Sequence, residues 1–194
     1  MAIIKPNNNT ISAITALPAA ISTGSLVLLQ TQTVSTEVAE VDFTSNLGTY
    51  DTVRIAWNGV KPETDDVHFR LRVSTNGGSS YLTSTYNHAG EYIYSGGSNS
   101  SYSNESSYHL LGGGYGNAST ESTSGFTELH NLSSTSLYKT INSFSIGVHD
   151  LGHGIGAWTG CTVHQTSAIN GIRFYFSSGN ITAGKLSLYG IKRS

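Results

Sequence analysis

The residues that come closest to a chemical site lie in "GVHDLGHGIGAW", residues 147–158, which brings together His149, Asp150 and His153. Two histidines four residues apart bind zinc when a helix points both rings at one ion, and imidazole with carboxylate suits zinc or nickel. The glycines of this stretch oppose a stable helix. We therefore interpret it as a loop that presents Trp158 and expect no metal there. A site built from three ligands of one flexible loop is the alternative.

Two other stretches contain residue types that bind ions. Glu63, Asp65 and Asp66 in "KPETDDV" could hold calcium, since hard cations bind clustered oxygens, but their spacing matches no EF-hand loop. "LGGGYG" at 111–116 lacks the lysine of a phosphate-binding loop, and the chain has no Gly-x-Ser-x-Gly motif. The sequence thus offers no catalytic residue, and we expect a non-enzymatic protein without a cofactor.

The composition excludes two classes of partner. Charged residues make up 11% of the 194 residues, the formal net charge is −2, and residues 73–138 contain no Lys or Arg. Binding to nucleic acid requires a concentration of basic side chains, so we expect none. No run of about 18 apolar residues occurs, so we expect no membrane span. Cys161 is the one cysteine, which excludes an intrachain disulfide.

Most of the chain shows the alternation of apolar and polar residues that a half-buried strand requires. In "DTVRIAWN", for example, Val53, Ile55 and Trp57 share one face. Further segments follow the same pattern or the composition typical of strands. The segments predicted as strands are 25–34, 39–43, 51–58, 67–73, 126–132, 142–148, 171–177 and 185–191.

Glycine-rich turns separate these segments. "TNGGSS" at 75–80 and "SSGN" at 177–180 supply residues that accept the positive φ of tight turns. No convincing amphipathic helix follows residue 24. This pattern predicts an all-β fold over residues 25–194: an antiparallel β-sandwich, jelly-roll-like, of about eight to ten short strands.

Residues 1–24 differ from the rest of the chain. They carry one charged side chain, Lys5, and have apolar residues at Ile11, Ile14 and Leu17. A segment this short cannot bury its own apolar face. We interpret it as an extended N-terminal arm that anchors the domain to a neighbouring surface, with a disordered terminus as the alternative.

A second unusual region, about residues 79–125, is rich in Tyr, Ser and Gly. Seven of the eleven tyrosines lie in it: Tyr81, Tyr86, Tyr92, Tyr94, Tyr102, Tyr108 and Tyr115. This is the composition of binding loops, because tyrosine gives a large contact area at low entropic cost. We predict an ordered, outward-facing surface that, with Trp158, binds a partner subunit or a neutral glycan.

Three longer stretches carry a family resemblance. They are "YDTVRIAWNGVKPETDDVHFRLRVSTNGGSSYLTSTY" (50–86), "LYKTINSFSIG" (137–147) and "INGIRFYFSSGNITAGKLSLYGIK" (169–192). Together they resemble small structural proteins and domains of tailed bacteriophages, especially phages of aquatic bacteria. The matched positions are strand and turn residues, so the resemblance transfers no catalytic residue. It implies a jelly-roll-like module in the virion, assembled in the host cytoplasm.

The resemblance also implies a role and a set of partners. The role is that of a surface module, either a capsid decoration or cement protein or a tail adaptor or fibre tip, anchored through its N-terminal arm. The implied partners are other virion proteins and copies of the same chain, with a trimer favoured by analogy. The alternative function is a carbohydrate-binding module for host recognition, in which Trp57, Trp158 or the tyrosines would stack on a host cell-surface glycan.

Overall fold

The computed structural model describes residues 26–97, 99–103 and 107–191. The predicted arm, with Ile11, Ile14 and Leu17, lies outside the described residues. Twelve β-strands and one short 3₁₀ turn (Leu47–Thr49) form the described part of the chain, which contains no α-helix. Accordingly, no helix in the described part has the length and apolar character needed to cross a membrane.

The strands are numbered in chain order. They are β1 (Leu26–Val34), β2 (Glu40–Phe43), β3 (Thr52–Pro62), β4 (Val67–Ser74), β5 (Tyr86–Tyr94), β6 (Asn99–Ser103), β7 (His109–Tyr115), β8 (Thr123–His130), β9 (Lys139–Val148), β10 (Gly154–Val163), β11 (Gly171–Phe176) and β12 (Ile181–Ile191).

The strands form two antiparallel sheets that pack face to face. The larger sheet has the order β1-β12-β3-β8-β9-β10-β5-β6, and the smaller has β2-β11-β4-β7. The pairs are nested: β1 pairs with β12, β2 with β11, β3 with β8 and β4 with β7. An eight-stranded jelly roll has this nested arrangement. The predicted all-β, jelly-roll-like sandwich is thus confirmed.

Four strands lie outside the eight nested ones and widen the larger sheet. The β9–β10 hairpin continues it from β8, and β5 and β6 complete it beyond β10. The prediction of eight to ten strands was therefore too low. The stretch 147–158, interpreted from its glycines as a loop, includes the first half of β10, and the backbone of this strand is paired on both sides.

The core lies between the sheets and is built from the predicted alternation. Val53, Ile55 and Trp57 point inward from β3, and Phe69 and Phe174 point inward from the smaller sheet. The ring centroids of Trp57 and Phe69 lie 5.5 Å apart in an edge-to-face arrangement. Such pairs stabilise the sandwich beyond the gain from burying their area.

A buried imidazole connects the two sheets. His109 on β7 lies with its Nε2 atom 2.8 Å from the Ser143 hydroxyl on β9. That hydroxyl donates to the Thr127 hydroxyl on β8, 2.7 Å away. Since Ser143 uses its proton in this bond, it accepts the proton of His109 Nε2. Burial and the neighbouring His88 both lower the pKa of His109 well below its usual value, which keeps the ring neutral.

One lysine is also buried and holds loops together. Lys139, at the start of β9, donates from Nζ to the backbone carbonyls of Ser134, Leu137 and Thr166, at 2.6, 3.0 and 3.0 Å. A buried ammonium group is tolerated when its protons are bonded in this way. Lys139 thereby joins the β8–β9 loop to the segment between β10 and β11.

Candidate functional site

An aromatic row crosses the outer face of the larger sheet. Phe126 on β8 is paired with Phe144 on β9, and Phe144 is paired with Trp158 on β10. Their ring centroids are 6.2 Å and 5.3 Å apart. Because side chains alternate across a strand, three residues in register on adjacent strands project on the same side. Here that side faces away from the core.

Two aliphatic side chains extend the row into a patch. Trp158 is 52% exposed, and the next outward positions carry Ile146 at 56% and Ile93 at 42% exposure. We call Ile93, Phe126, Phe144, Ile146 and Trp158 the outer-face patch. Large apolar side chains clustered on a regular surface are typical of interaction sites, whereas single exposed ones are common everywhere.

Polar groups border the row on one side. The guanidinium of Arg54 lies over the Phe126 ring, 4.9 Å from its centroid, and its Nε donates to Glu128 at 2.8 Å. His130 Nε2 and Asn142 Oδ1 form a further hydrogen bond of 2.8 Å. The patch therefore offers apolar ring faces beside hydrogen-bonding groups that are already held in position.

The row borders a shallow depression of about 500 Å³, lined by Phe126, Asn142, Phe144, Trp158 and Gly160 among others. Gly160 stands opposite Asn142 on β9 and Ala89 on β5. The missing side chain of Gly160 and the small one of Ala89 leave the surface low beside Trp158. This shape suits a flat or extended ligand more than a deeply enclosed one.

The described residues near the patch do not form a catalytic arrangement. The one Ser–His pair close to it, Ser143 and His109, has suitable spacing for a nucleophile and base, but both residues are buried. Moreover, the Ser143 hydroxyl donates its proton to Thr127 and not to the imidazole. The pair is a hydrogen bond of the core that lies beneath the surface.

Three predicted surface tyrosines are buried, so the expectation that they face outward was wrong. Tyr86, Tyr92 and Tyr115 are 4%, 0% and 0% exposed. Tyr86 and Tyr92 occupy inward positions of β5, and Tyr115 ends β7, in which every residue is buried. The Tyr86 hydroxyl accepts a bond of 2.8 Å from the Val73 N–H, and the Tyr115 hydroxyl is 2.7 Å from that of Ser145.

The other four tyrosines are half-buried and pack against their own domain. Tyr81 lies under the guanidinium of Arg173 and Tyr108 under that of Arg70, at 4.1 and 4.0 Å from the ring centroids. Tyr102 packs on Tyr92 at 4.4 Å, and Tyr94 meets His149 edge to face at 4.9 Å. Much of each ring is thus occupied within the chain. A binding role for these four stays a prediction.

The outcome differs for the two tryptophans. Trp57 is 3% exposed, so the expectation that it could stack on a sugar was wrong. Trp158 is exposed as predicted, but on a strand and not on a loop. Phe126, Phe144 and Ile146 were not singled out from the sequence. A usable signal was present, because they occupy the outward positions of two predicted strands where polar residues are the norm.

No protein family, curated protein or solved structure matches this chain.

Proposed function

We propose that the protein is a non-enzymatic surface module of a tailed-bacteriophage virion, and that the outer-face patch is its main binding surface. The module would act as a capsid decoration or cement protein, or as a tail adaptor or fibre tip. The observation that carries the proposal is the outward-facing Phe126–Phe144–Trp158 row, in which Trp158 is 52% exposed and both phenylalanines are partly exposed. The pairing of the strands does not itself require aromatic residues at these outward positions, so a contact with another molecule is the simplest reason for them.

The rest of the molecule supports the same function. A jelly roll with few charged residues and a wide larger sheet gives a rigid platform for contact with neighbours. The arm of residues 1–24 would anchor it. Deleting residues 2–24 should leave the melting temperature nearly unchanged and abolish incorporation into particles. A truncated chain that still assembles normally would refute the anchoring role.

The expected strength of the contact follows from Trp158. Tryptophans at the centre of protein interfaces often contribute about 2 kcal/mol or more on truncation, which corresponds to a 30-fold loss of affinity or greater. In the isolated domain the same side chain is half-exposed, so its removal should cost little stability. The combination of small stability loss and large binding loss is the signature of a surface contact.

The experiment is Trp158→Ala in the phage, with Tyr138→Ala as the matched control. Tyr138 is 49% exposed and lies in the β8–β9 loop, outside the patch. Melting temperature, incorporation into particles and adsorption to host cells are measured for each variant. We expect Trp158→Ala to fold normally and to lose incorporation or adsorption, while Tyr138→Ala retains both. A Trp158→Ala variant that behaves like the parent in all three assays would refute the proposal.

A second candidate function is binding of a neutral host glycan, and one observation favours it. The aromatic row stands directly beside the Arg54–Glu128 and His130–Asn142 pairs. Sugars present apolar faces that stack on aromatic rings and hydroxyls that bond to such polar groups. Trp158→Ala particles that assemble normally but adsorb poorly, together with inhibition of parental adsorption by free host glycan, would support this candidate. Loss of assembly would support a contact between virion proteins instead.

A further inference from the structure

Two turns that are more than 80 residues apart in sequence meet at one edge of the sandwich. Asp66 ends the β3–β4 turn, and His149 and Asp150 lie in the β9–β10 turn. One ligand atom from each of the three side chains lies within 4.8 Å of the other two. We propose that Asp66, His149 and Asp150 form a binding site for a divalent transition-metal ion of the zinc type. This site is independent of the outer-face patch.

The β9–β10 turn is held firmly despite its glycines. The Asp150 N–H donates to the Gly114 carbonyl at 3.0 Å, and the His149 N–H donates to the His153 carbonyl at 2.8 Å. Gly114 has φ +72°, and a Cβ atom there would lie 2.6 Å from Cδ2 of His149. The glycine therefore makes room for the imidazole. The sequence predicted no metal here because its glycines prevent a helix that would fix the ligands. These hydrogen bonds fix the turn without a helix.

The β3–β4 turn is fixed to the same part of the chain. The Asn117 N–H donates to Asp65 Oδ1 at 3.1 Å, and the Asn117 side-chain amide donates to the Glu63 carbonyl at 2.8 Å. Both turns are thus bonded to the segment 114–117 at the end of β7. Ligands placed by a shared segment keep their mutual distances, which is what a metal site requires.

The negative charges of the cluster favour the binding of a cation. Within residues 26–97, 99–103 and 107–191, no Lys or Arg forms an ion pair with Asp66 or Asp150. Oδ1 of Asp150 is buried against Nδ1 of His149. Two carboxylates so close together repel each other unless a positive charge lies between them.

The imidazole contacts one of these carboxylates directly. Nδ1 of His149 lies against the Asp150 carboxylate and 3.2 Å from the backbone nitrogen of Leu151. A metal ion bound between this ring nitrogen and the carboxylate would replace both contacts.

The donor set indicates the class of metal. One imidazole nitrogen with two carboxylate oxygens suits zinc and its neighbours in the first transition row, whereas calcium prefers six or more oxygens. Asp66 is exposed, so water can fill the remaining positions. His153, the third ligand in the alternative interpretation of this loop, lines an adjacent cavity of about 230 Å³ with Tyr94, Gly96, His149 and Leu151. In the folded chain Asp66, and not His153, is the third residue of the cluster.

The test uses the full chain, stripped with a chelator and titrated with Zn²⁺ by calorimetry. Stoichiometry is checked by elemental analysis after equilibrium dialysis. We expect about one ion per chain, with affinity reduced at least 10-fold in Asp66→Asn, Asp150→Asn and His149→Gln. His153→Gln is the matched control and should bind like the parent. Asn accepts the positive φ of Asp66, so the first variant should fold.

A melting experiment separates a metal site from a merely structural cluster. In chelator, Asp66→Asn removes a repulsion and should melt at or above the parental temperature. In excess Zn²⁺ the parent gains stability by binding and the order should reverse. The proposal is overturned if the parent binds no Zn²⁺ at about 100 µM, a concentration far above the Kd of structural zinc sites. It is also overturned if His153→Gln weakens binding as much as the other variants, or if the order of melting temperatures is the same in both buffers.

Discussion

Acid should destabilise the protein through the buried imidazole of His109, and the sign follows from its surroundings. In the unfolded chain His109 has an ordinary pKa of about 6.5 and takes up a proton as the pH falls below that value. In the folded chain its pKa is well below 6.5 because of burial and His88, so it stays neutral. The unfolded state then binds more protons, and the free energy of unfolding decreases as the pH falls.

The size of the effect follows from the same linkage. Each pH unit between the unfolded and folded pKa values costs about 1.4 kcal/mol for one such group, so the loss reaches about 1.4 kcal/mol at pH 5.5. Above about pH 7.5 the contribution of His109 is nearly constant. The pKa of His68 is also lowered, chiefly by burial and then by Arg70, and it acts in the same direction.

The assay is urea unfolding at pH 7.5, 6.5 and 5.5 for the parent, His109→Gln and His164→Gln. Glutamine can place an amide N–H near the position of Nε2 and cannot titrate, so it keeps a donor for Ser143. His164 is exposed and serves as the matched control. We expect His109→Gln to lose less stability than the parent between pH 7.5 and 5.5, by about 1.4 kcal/mol, while His164→Gln follows the parent. Equal slopes for parent and His109→Gln would refute the reasoning.

Three further predictions concern the core. The buried Tyr92 hydroxyl has no hydrogen-bond partner among the described residues. Tyr92→Phe should therefore keep or slightly raise the free energy of unfolding, while Tyr92→Ala should lower it by about 3–5 kcal/mol in urea unfolding. Lys139→Met leaves three carbonyls without their donor and should cost about 1–3 kcal/mol, whereas Met at the exposed Lys185 should change stability little. Burial raises the pKa of the Cys161 thiol to about 12, so iodoacetamide at pH 8 should modify the urea-unfolded chain and spare the folded one, as mass spectrometry would show.

The alternation of apolar and polar residues was sufficient to predict most of the strands that form the nested jelly roll. Strand β4 illustrates this, because Val67, Phe69, Leu71 and Val73 are all buried as their spacing indicates. Strands β5 to β7 and β10 were not located individually. Their glycines, serines and tyrosines have low or mixed strand propensity, and it is pairing with neighbouring strands, on both sides for β5 and β10 and on one side for β6 and β7, that makes them strands.

The candidate site shows the same division. Sequence singled out Trp158 as a large aromatic residue near a glycine-rich stretch, but it could not place Phe126 and Phe144 beside it. That alignment depends on the register of three strands, and a shift by one residue would turn each ring to the other face. For the same reason the tyrosine-rich region was read as one surface, although alternate positions in it belong to the core.

The sequence by itself determined the all-β class, the low charge and the glycine-rich turns at 75–80 and 177–180, because these follow from composition and from residues within a few positions of each other. Only the tertiary structure decided which side chains meet. The row formed by Phe126, Phe144 and Trp158 and the cluster of Asp66 with His149 both join residues brought together by strand pairing. Such contacts depend on the packing of the whole sandwich, which no local stretch of sequence specifies.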